Sequence, residues 1–198
     1  MTQLCDAELR AMNGSFRRFI QRRIEFPIFR WLGLHGHDLD ILEVGCGSGY
    51  GAVLLSRLKP KSYVGIDLMP EMIDLAQKRK DVPHADFRLM DATDMRQIPD
   101  TSKDVVVIFD ILHHIPRWRE VLSECGRVLR PAGTLFLEEP CASTVRLWDS
   151  FFHWGHPKDA SFTWRELEAR LNDVGFTVKH RCRFWPLRSY CAVKTQHP

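Results

Sequence analysis

Short apolar runs alternate with stretches of helical period along most of the chain. That alternation predicts a mostly parallel sheet with helices on both faces. Residues 39–44 read as a first strand, stopped by a glycine turn, and residues 50–58 as the helix that follows. Residues 62–66 form a second strand, after which Pro70, suited to a first helical turn, opens a helix to about Lys80. Residues 85–89 give a third strand. Residues 104–109 give a fourth, whose unbroken Val-Val-Val-Ile-Phe implies burial on both faces. A helix over 117–129 places Trp118, Val121, Leu122, Cys125, Val128 and Leu129 on one side, and residues 133–138 make a fifth strand. Thr163 and Glu166 have the spacing of a capping box for a helix over 163–174, with Gly175 as its stop. Residues 176–184 and 189–194 then read as a closing antiparallel hairpin turned near Pro186.

Two segments fall outside this pattern. Residues 1–37 are partly helical and mix Phe16, Phe19, Ile20, Ile24, Phe26, Phe29 and Trp31 with Arg17, Arg18, Arg22, Arg23 and Arg30. Residues 140–162 read as a link carrying Trp148, Phe151, Phe152, His153, Trp154 and His156. The arginine-rich segment has three readings: a packed helix with a solvated basic face, a pocket for an anionic acceptor, or peripheral contact with anionic lipid headgroups. The aromatic link together with the N-terminal stretch suits a lid over an apolar acceptor.

A chain of 198 residues, 44% hydrophobic, supports one core and therefore a single domain, with residues 38–139 as its centre. A net charge of +3 excludes a strongly basic nucleic-acid binder. No apolar run is long enough to span a bilayer, and the start of the chain lacks the pattern of a secretion signal. The six cysteines form no C-x-x-C pair and read as free thiols in a reducing cytoplasm, Cys182 and Cys191 being the one pair a hairpin could bring together.

The chemistry concentrates after the first strand, in Glu43-Val44-Gly45-Cys46-Gly47-Ser48-Gly49-Tyr50-Gly51. In open α/β sheets ligands bind beyond the carboxyl ends of the strands, and glycine allows the sharp turn and close approach this needs. The loop alone also fits a dinucleotide fingerprint. Glu43 argues otherwise, since a carboxylate there repels a pyrophosphate and favours a ligand with cationic groups. Asp67, ending the second strand, suits the hydroxyls of an adenosine ribose. Asp91, with Asp94 as a competitor, suits the adenine amino group.

With these residues in place the chain resembles the class I S-adenosylmethionine-dependent methyltransferases, specifically the small-molecule branch of type 11. The likeness extends over Val64-Gly65-Ile66-Asp67-Leu68-Met69-Pro70, Met90-Asp91-Ala92-Thr93-Asp94, residues 104–115 with His113 and His114, and Arg127-Val128-Leu129-Arg130-Pro131. It implies a Rossmann-like αβα sandwich with a seven-stranded sheet and an antiparallel seventh strand. It implies that Glu43, Gly45, Cys46 and Gly47 face the methionine part of the cofactor and that Asp67 holds the ribose. Leu68 and Met69 would pack on the adenine with Asp91 and Ala92 beside it, and Phe109, Asp110 and Ile111 would line the methyl end. Ala132 stands where the family has glycine, at a turn away from the cofactor.

Methyl transfer is an in-line displacement for which alignment supplies much of the rate, and an oxygen or nitrogen acceptor can also need a base. His114, with His113 beside it, is the candidate to take that proton or to orient the acceptor. Glu138 and Glu139 are candidates for contact with the acceptor or for a salt bridge to an arginine. The pairs His35/His37 and His153/His156 have metal-ligand spacing, but the sequence shows no acid or cysteine converging on either, so no metal is expected. A nicotinamide-dependent oxidoreductase and a non-catalytic cofactor-binding partner subunit stand as the rival readings.

Overall fold

The computed structural model describes residues 14–152, 156–184 and 186–195. The chain enters through α1 (Ser15–Ile20), a wide π turn (Gln21–Glu25) and α2 (Phe26–Trp31), which run on without a break. Alternation follows: β1 (Asp40–Val44), α3 (Tyr50–Leu55), β2 (Ser62–Asp67), α4 (Pro70–Gln77), β3 (Asp86–Leu89) and β4 (Lys103–Phe109). Then come α5 (Trp118–Val128), β5 (Leu129–Pro140), α6 (Ala142–Phe152), α7 (Trp164–Asp173), β6 (Phe176–Phe184) and β7 (Leu187–Lys194). The strands make one seven-stranded sheet in the order β3-β2-β1-β4-β5-β7-β6, parallel except for β7, which runs antiparallel to both neighbours.

Strand β4 shows why the sheet needs cover on both sides. Val106 and Ile108 point into a cluster with Trp118, Leu122, Leu167 and Tyr190, under α5 and α7. Val105, Val107 and Phe109 point the other way, into a cluster with Phe29, Leu54, Ile73 and Phe136. Phe29 has no exposed surface and stacks on Phe109 at 5.0 Å between ring centroids, with Phe136 at 5.8 Å. The second half of the N-terminal segment is therefore core, and only its first turns are placed to act as a cover.

Three differences from the sequence expectations have physical causes. Residues 140–162 are not a plain link: α6 occupies most of the first half, burying Ala142 and Val145 on a stripe too narrow to announce itself in the periodicity. β5 begins at Leu129, because Leu129 pairs with Lys103 before a register shift that the turn-like Pro131-Ala132-Gly133 accommodates. Ala132 sits there at φ +65°, the left-handed region that glycine takes most easily. In the closing hairpin Cys182 lies opposite Ser189 and Cys191 opposite His180, so the two thiols do not face each other and both are free. The Thr163 capping box forms as read, with the Thr163 hydroxyl accepting from the Glu166 amide and the Glu166 carboxylate accepting from the Thr163 amide. Cys5, His153 and Trp154 lie outside the described residues. Among the described residues no helix is long and apolar enough to cross a membrane.

Candidate functional site

Strand order reverses between β1 and β4, which are neighbours in the sheet although β2 and β3 come between them in the chain. Such a switch point leaves a crevice beyond the carboxyl ends of the strands. A cavity of about 200 Å³ lies there, bordered by the ends of β1, β2 and β4 and by Arg17, Arg18 and Gln21 of the N-terminal helix. Glu43, Gly45, Cys46, Gly47, Asp67, Leu68, Met69, Ala92, Phe109, Asp110, Ile111 and His114 all line it.

The glycine loop is shaped by two close approaches. Gly45 has φ +74°, and a Cβ there would come within 2.8 Å of the Ile111 side chain. Gly51 lets α3 lie directly over the Glu43 carboxylate, since a Cβ at that position would sit 2.0 Å from Glu43 Oε1. The Tyr63 hydroxyl donates to Glu43 Oε2 at 2.5 Å. Burial pushes the Glu43 carboxyl up to about 8, against the opposing effect of that hydrogen bond. Asp67 ties the loop to the end of β2: its carboxylate accepts from the Gly47 amide at 2.9 Å and from the Met69 amide at 2.9 Å. Burial raises this carboxyl too, with the backbone donors working in the other direction.

The third acid at the cavity is Asp110, just past β4. Its backbone holds φ +59°, a strained value for a residue with a side chain, and its amide donates to the Glu138 carbonyl at 2.9 Å. Asp110 Oδ1 is buried without a hydrogen-bond partner among the described residues, 3.6 Å from His113 Nδ1. Burial lifts the Asp110 carboxyl to about 6, partly offset by His113 and Arg17. Arg17 pairs with the buried Glu25 of its own helix.

Glu138 and Glu139 are structural hubs. Glu138 accepts from the Ser189 hydroxyl at 2.6 Å. Glu139 accepts from the Ile111 and Leu112 amides at 2.8 and 2.7 Å and lies 2.9 Å from His113 Nδ1, so it fixes the turn that carries both histidines. Burial pushes Glu139 up to about 8.

Two expected site residues have surroundings that the spacing did not show. Asp91 does not line the cavity: its carboxylate accepts from the Thr93 amide and hydroxyl, each at 2.8 Å, and faces Arg117 at 3.6 Å. The self-capping turn that Asp91-Ala92-Thr93 favours holds the carboxylate away while Met90 and Ala92 supply the wall. His114 is buried at the cavity, and its proton affinity falls well below the ordinary histidine range because of burial and the neighbouring His113 and His156. The expectation that no acid converges on His156 is also corrected, because Asp149 on α6 lies 2.6 Å from His156 Nδ1. Asp149 is only seven positions from His156, whereas the packing of His156 on His113 and His114 joins residues some forty positions apart and leaves no spacing to read.

Comparison with known proteins agrees with this architecture. Residues 42–137 match the methyltransferase domain family of type 11. The central part of this chain thus matches a methyltransferase domain, and its fold is Rossmann-like. It is 45% identical over 96 residues to a phthiotriol/phenolphthiotriol dimycocerosates methyltransferase of Mycobacterium leprae, covering 48% of this chain and 35% of that protein. It is 37% identical over 141 residues to an S-adenosylmethionine-dependent methyltransferase of Mycolicibacterium smegmatis, covering 71% of this chain and 52% of that protein. The chain thus spans about half, or less, of the length of these curated relatives. Among solved structures, an S-adenosylmethionine-dependent methyltransferase from Aquifex aeolicus superimposes with a TM-score of 0.77 at 16% identity, covering 98% of this chain and 100% of that one. A methyltransferase bound to the Trm112 activator in Haloferax volcanii gives 0.81 at 18% identity, covering 98% and 96%.

Proposed function

We propose that the chain is an S-adenosylmethionine-dependent methyltransferase acting on an O, N or C atom of a small molecule. The observation that carries this reading is that the carboxylates of Glu43, Asp67 and Asp110 border one cavity at the switch point. Three acids around one crevice suit a ligand with an ammonium, a sulfonium and ribose hydroxyls, and disfavour the phosphates of a dinucleotide. The unpartnered buried oxygen of Asp110 and the glycine cradle against Ile111 fit such a cationic ligand. The family match and the M. smegmatis relative support the same cofactor.

S-adenosylmethionine, when bound, supplies a methyl carbon activated by its sulfonium. In this reading Asp67 takes the ribose hydroxyls on the lone pairs that Gly47 and Met69 leave open. Leu68, Met69 and Ala92 pack on the adenine. Glu43 and Asp110, with Gly45, Cys46 and Gly47, hold the methionine part. Phe109 and Ile111 keep water from the methyl end, and His114 orients the acceptor. The chain forms one domain in which Arg17, Arg18 and Gln21 cover the cavity. An acceptor with apolar surface, as in the lipid named for the M. leprae relative, suits the apolar wall of Phe109, Ile111 and Ile115. The described cysteines are free thiols, which supports a cytoplasmic setting.

The test is transfer of labelled methyl from the cofactor into a cell extract by the purified protein, followed by identification of the labelled product. Calorimetry on the same protein should show S-adenosylhomocysteine binding. Tight NADPH binding without S-adenosylhomocysteine binding would overturn the reading, and cofactor binding without any transfer would reduce the chain to a partner subunit.

A further inference from the structure

The cavity wall at His114 continues into a cluster whose other members, His113 and His156, methyl transfer as described does not use. His113, His114 and His156 are all buried, and their rings pack against one another with centroids 4.0, 5.2 and 4.8 Å apart. One candidate ligand atom from each lies within 4.8 Å of the other two. Burying three imidazoles against each other is costly unless their polar atoms are used, and protonating them together would set like charges side by side.

Two of the rings have the backing that metal-bound histidines have. Glu139 Oε2 is 2.9 Å from His113 Nδ1, and Asp149 Oδ1 is 2.6 Å from His156 Nδ1. A carboxylate at Nδ1 holds the proton there and places the lone pair on Nε2, the atom a metal takes. Glu139 is itself fixed by the Ile111 and Leu112 amides, which suits it to orient a ligand more than to be one. Around zinc, with Zn–N near 2.0–2.1 Å and tetrahedral angles, nitrogen atoms stand about 3.3 Å apart. The three candidate atoms, within 4.8 Å of one another, would have to draw together by about 1.5 Å at most to reach that value.

We propose that His113, His114 and His156 form a three-histidine site for a divalent transition metal, zinc fitting best, with its fourth position open toward the cofactor cavity. Three neutral nitrogen ligands and one open position are the make-up of a catalytic zinc site, whereas structural sites are closed by four protein ligands. The site itself stands on the histidine geometry; its consequence for the acceptor rests on the methyltransferase reading above. That consequence is an acceptor bearing a hydroxyl or thiol. Coordinated at the open position, the group gives up its proton to water more readily. Its oxygen or sulfur lone pair then forms the bond to the methyl carbon as the carbon–sulfonium bond breaks, leaving the neutral thioether.

The test uses the full chain, stripped of metal by dialysis against a chelator and titrated with Co²⁺ and then Zn²⁺. We expect one Co²⁺ per chain with the intense visible bands of tetrahedral nitrogen coordination, displaced by one equivalent of Zn²⁺. His156→Asn should abolish the bands. Asp149→Asn, which keeps the imidazole, should weaken metal binding by about 10–100-fold. Replacing the exposed His37 by Asn should change nothing. Absence of tetrahedral bands in the unaltered protein, or the same affinity in Asp149→Asn and His156→Asn, would overturn the site. S-adenosylhomocysteine binding is measured on the same samples. Metal binding without cofactor binding supports the site and removes the methyltransferase reading, while cofactor binding without metal binding does the reverse.

Discussion

In the proposed reading, with the cofactor's ammonium beside Glu43, cofactor binding is a proton-coupled event. The Glu43 carboxyl is buried beneath α3 and carries a pKa of about 8 in the ligand-free protein, against an ordinary 4.5. At neutral pH it therefore holds a proton. A ligand ammonium beside it favours the ionised form, so binding expels that proton into solvent. The apparent affinity then falls by a factor of 1 + 10^(pKa − pH), which amounts to about a ninefold gain from pH 6 to pH 7, or roughly 1.3 kcal/mol. The direction is fixed by the raised pKa: affinity rises with pH until the carboxyl is ionised without help. Calorimetry of S-adenosylhomocysteine binding in buffers of different ionisation enthalpy reads the proton directly, with about 0.9 proton released from Glu43 at pH 7 expected from that pKa. Glu43→Gln keeps the Tyr63 hydrogen bond and removes the titration. The difference between the two proteins therefore isolates Glu43 from the other buried acids. Equal proton release and equal pH dependence in the two proteins would refute the reasoning.

Three further outcomes test the surrounding structure. Gly51→Ala drives a methyl group into the Glu43 carboxylate, where the built Cβ lies 2.0 Å from Oε1, and should cost about 2–4 kcal/mol, read as a lowered melting temperature; an unchanged melting temperature would contradict the packing. Arg17→Met leaves Glu25 buried without its counter-charge, a change of about 3–5 kcal/mol for a broken buried pair. Amide hydrogen exchange should then rise across α1 and the π turn, and undiminished protection there would count against the pairing. Thr163→Ala removes the capping box at the start of α7 and should lower stability by about 1 kcal/mol in urea unfolding with the m-value unchanged.

The sheet, its parallel strands and its closing hairpin were legible because each strand carries a continuous apolar run between clear turn residues. The cavity at the switch point was nearly as legible, since Glu43, Gly45, Asp67 and Ile111 stand at fixed offsets from strand ends, where topology decides what meets. Asp91 misled because a strand-end acid can serve its own turn as well as a ligand. The opposite wall of the cavity was less legible, the arginine segment having three open readings. Arg17 reaches the cavity from a helix of mixed arginine and aromatic residues, and His156 joins His113 and His114 through a return of the chain that no local spacing records. Contacts between residues far apart in sequence leave no period to read.

The π turn at Gln21–Glu25 has a consequence for how the N-terminal helix tolerates change. An α-helix advances about 100° per residue, so residues eight apart would normally point about 80° away from each other. The wide turn absorbs one extra residue and brings Arg17 and Glu25 back onto one side, where they pair. The upper and lower turns are thus geared one step out of phase. Losing a single residue from the wide turn would leave the pair seven positions apart at ordinary pitch, about 700° or within about 20° of two full turns, so Arg17 would keep its side of the helix with Phe29 still locked in the core. A further residue inserted there would instead turn the upper end by about 100° relative to the anchor below it, so this helix tolerates a loss better than a gain.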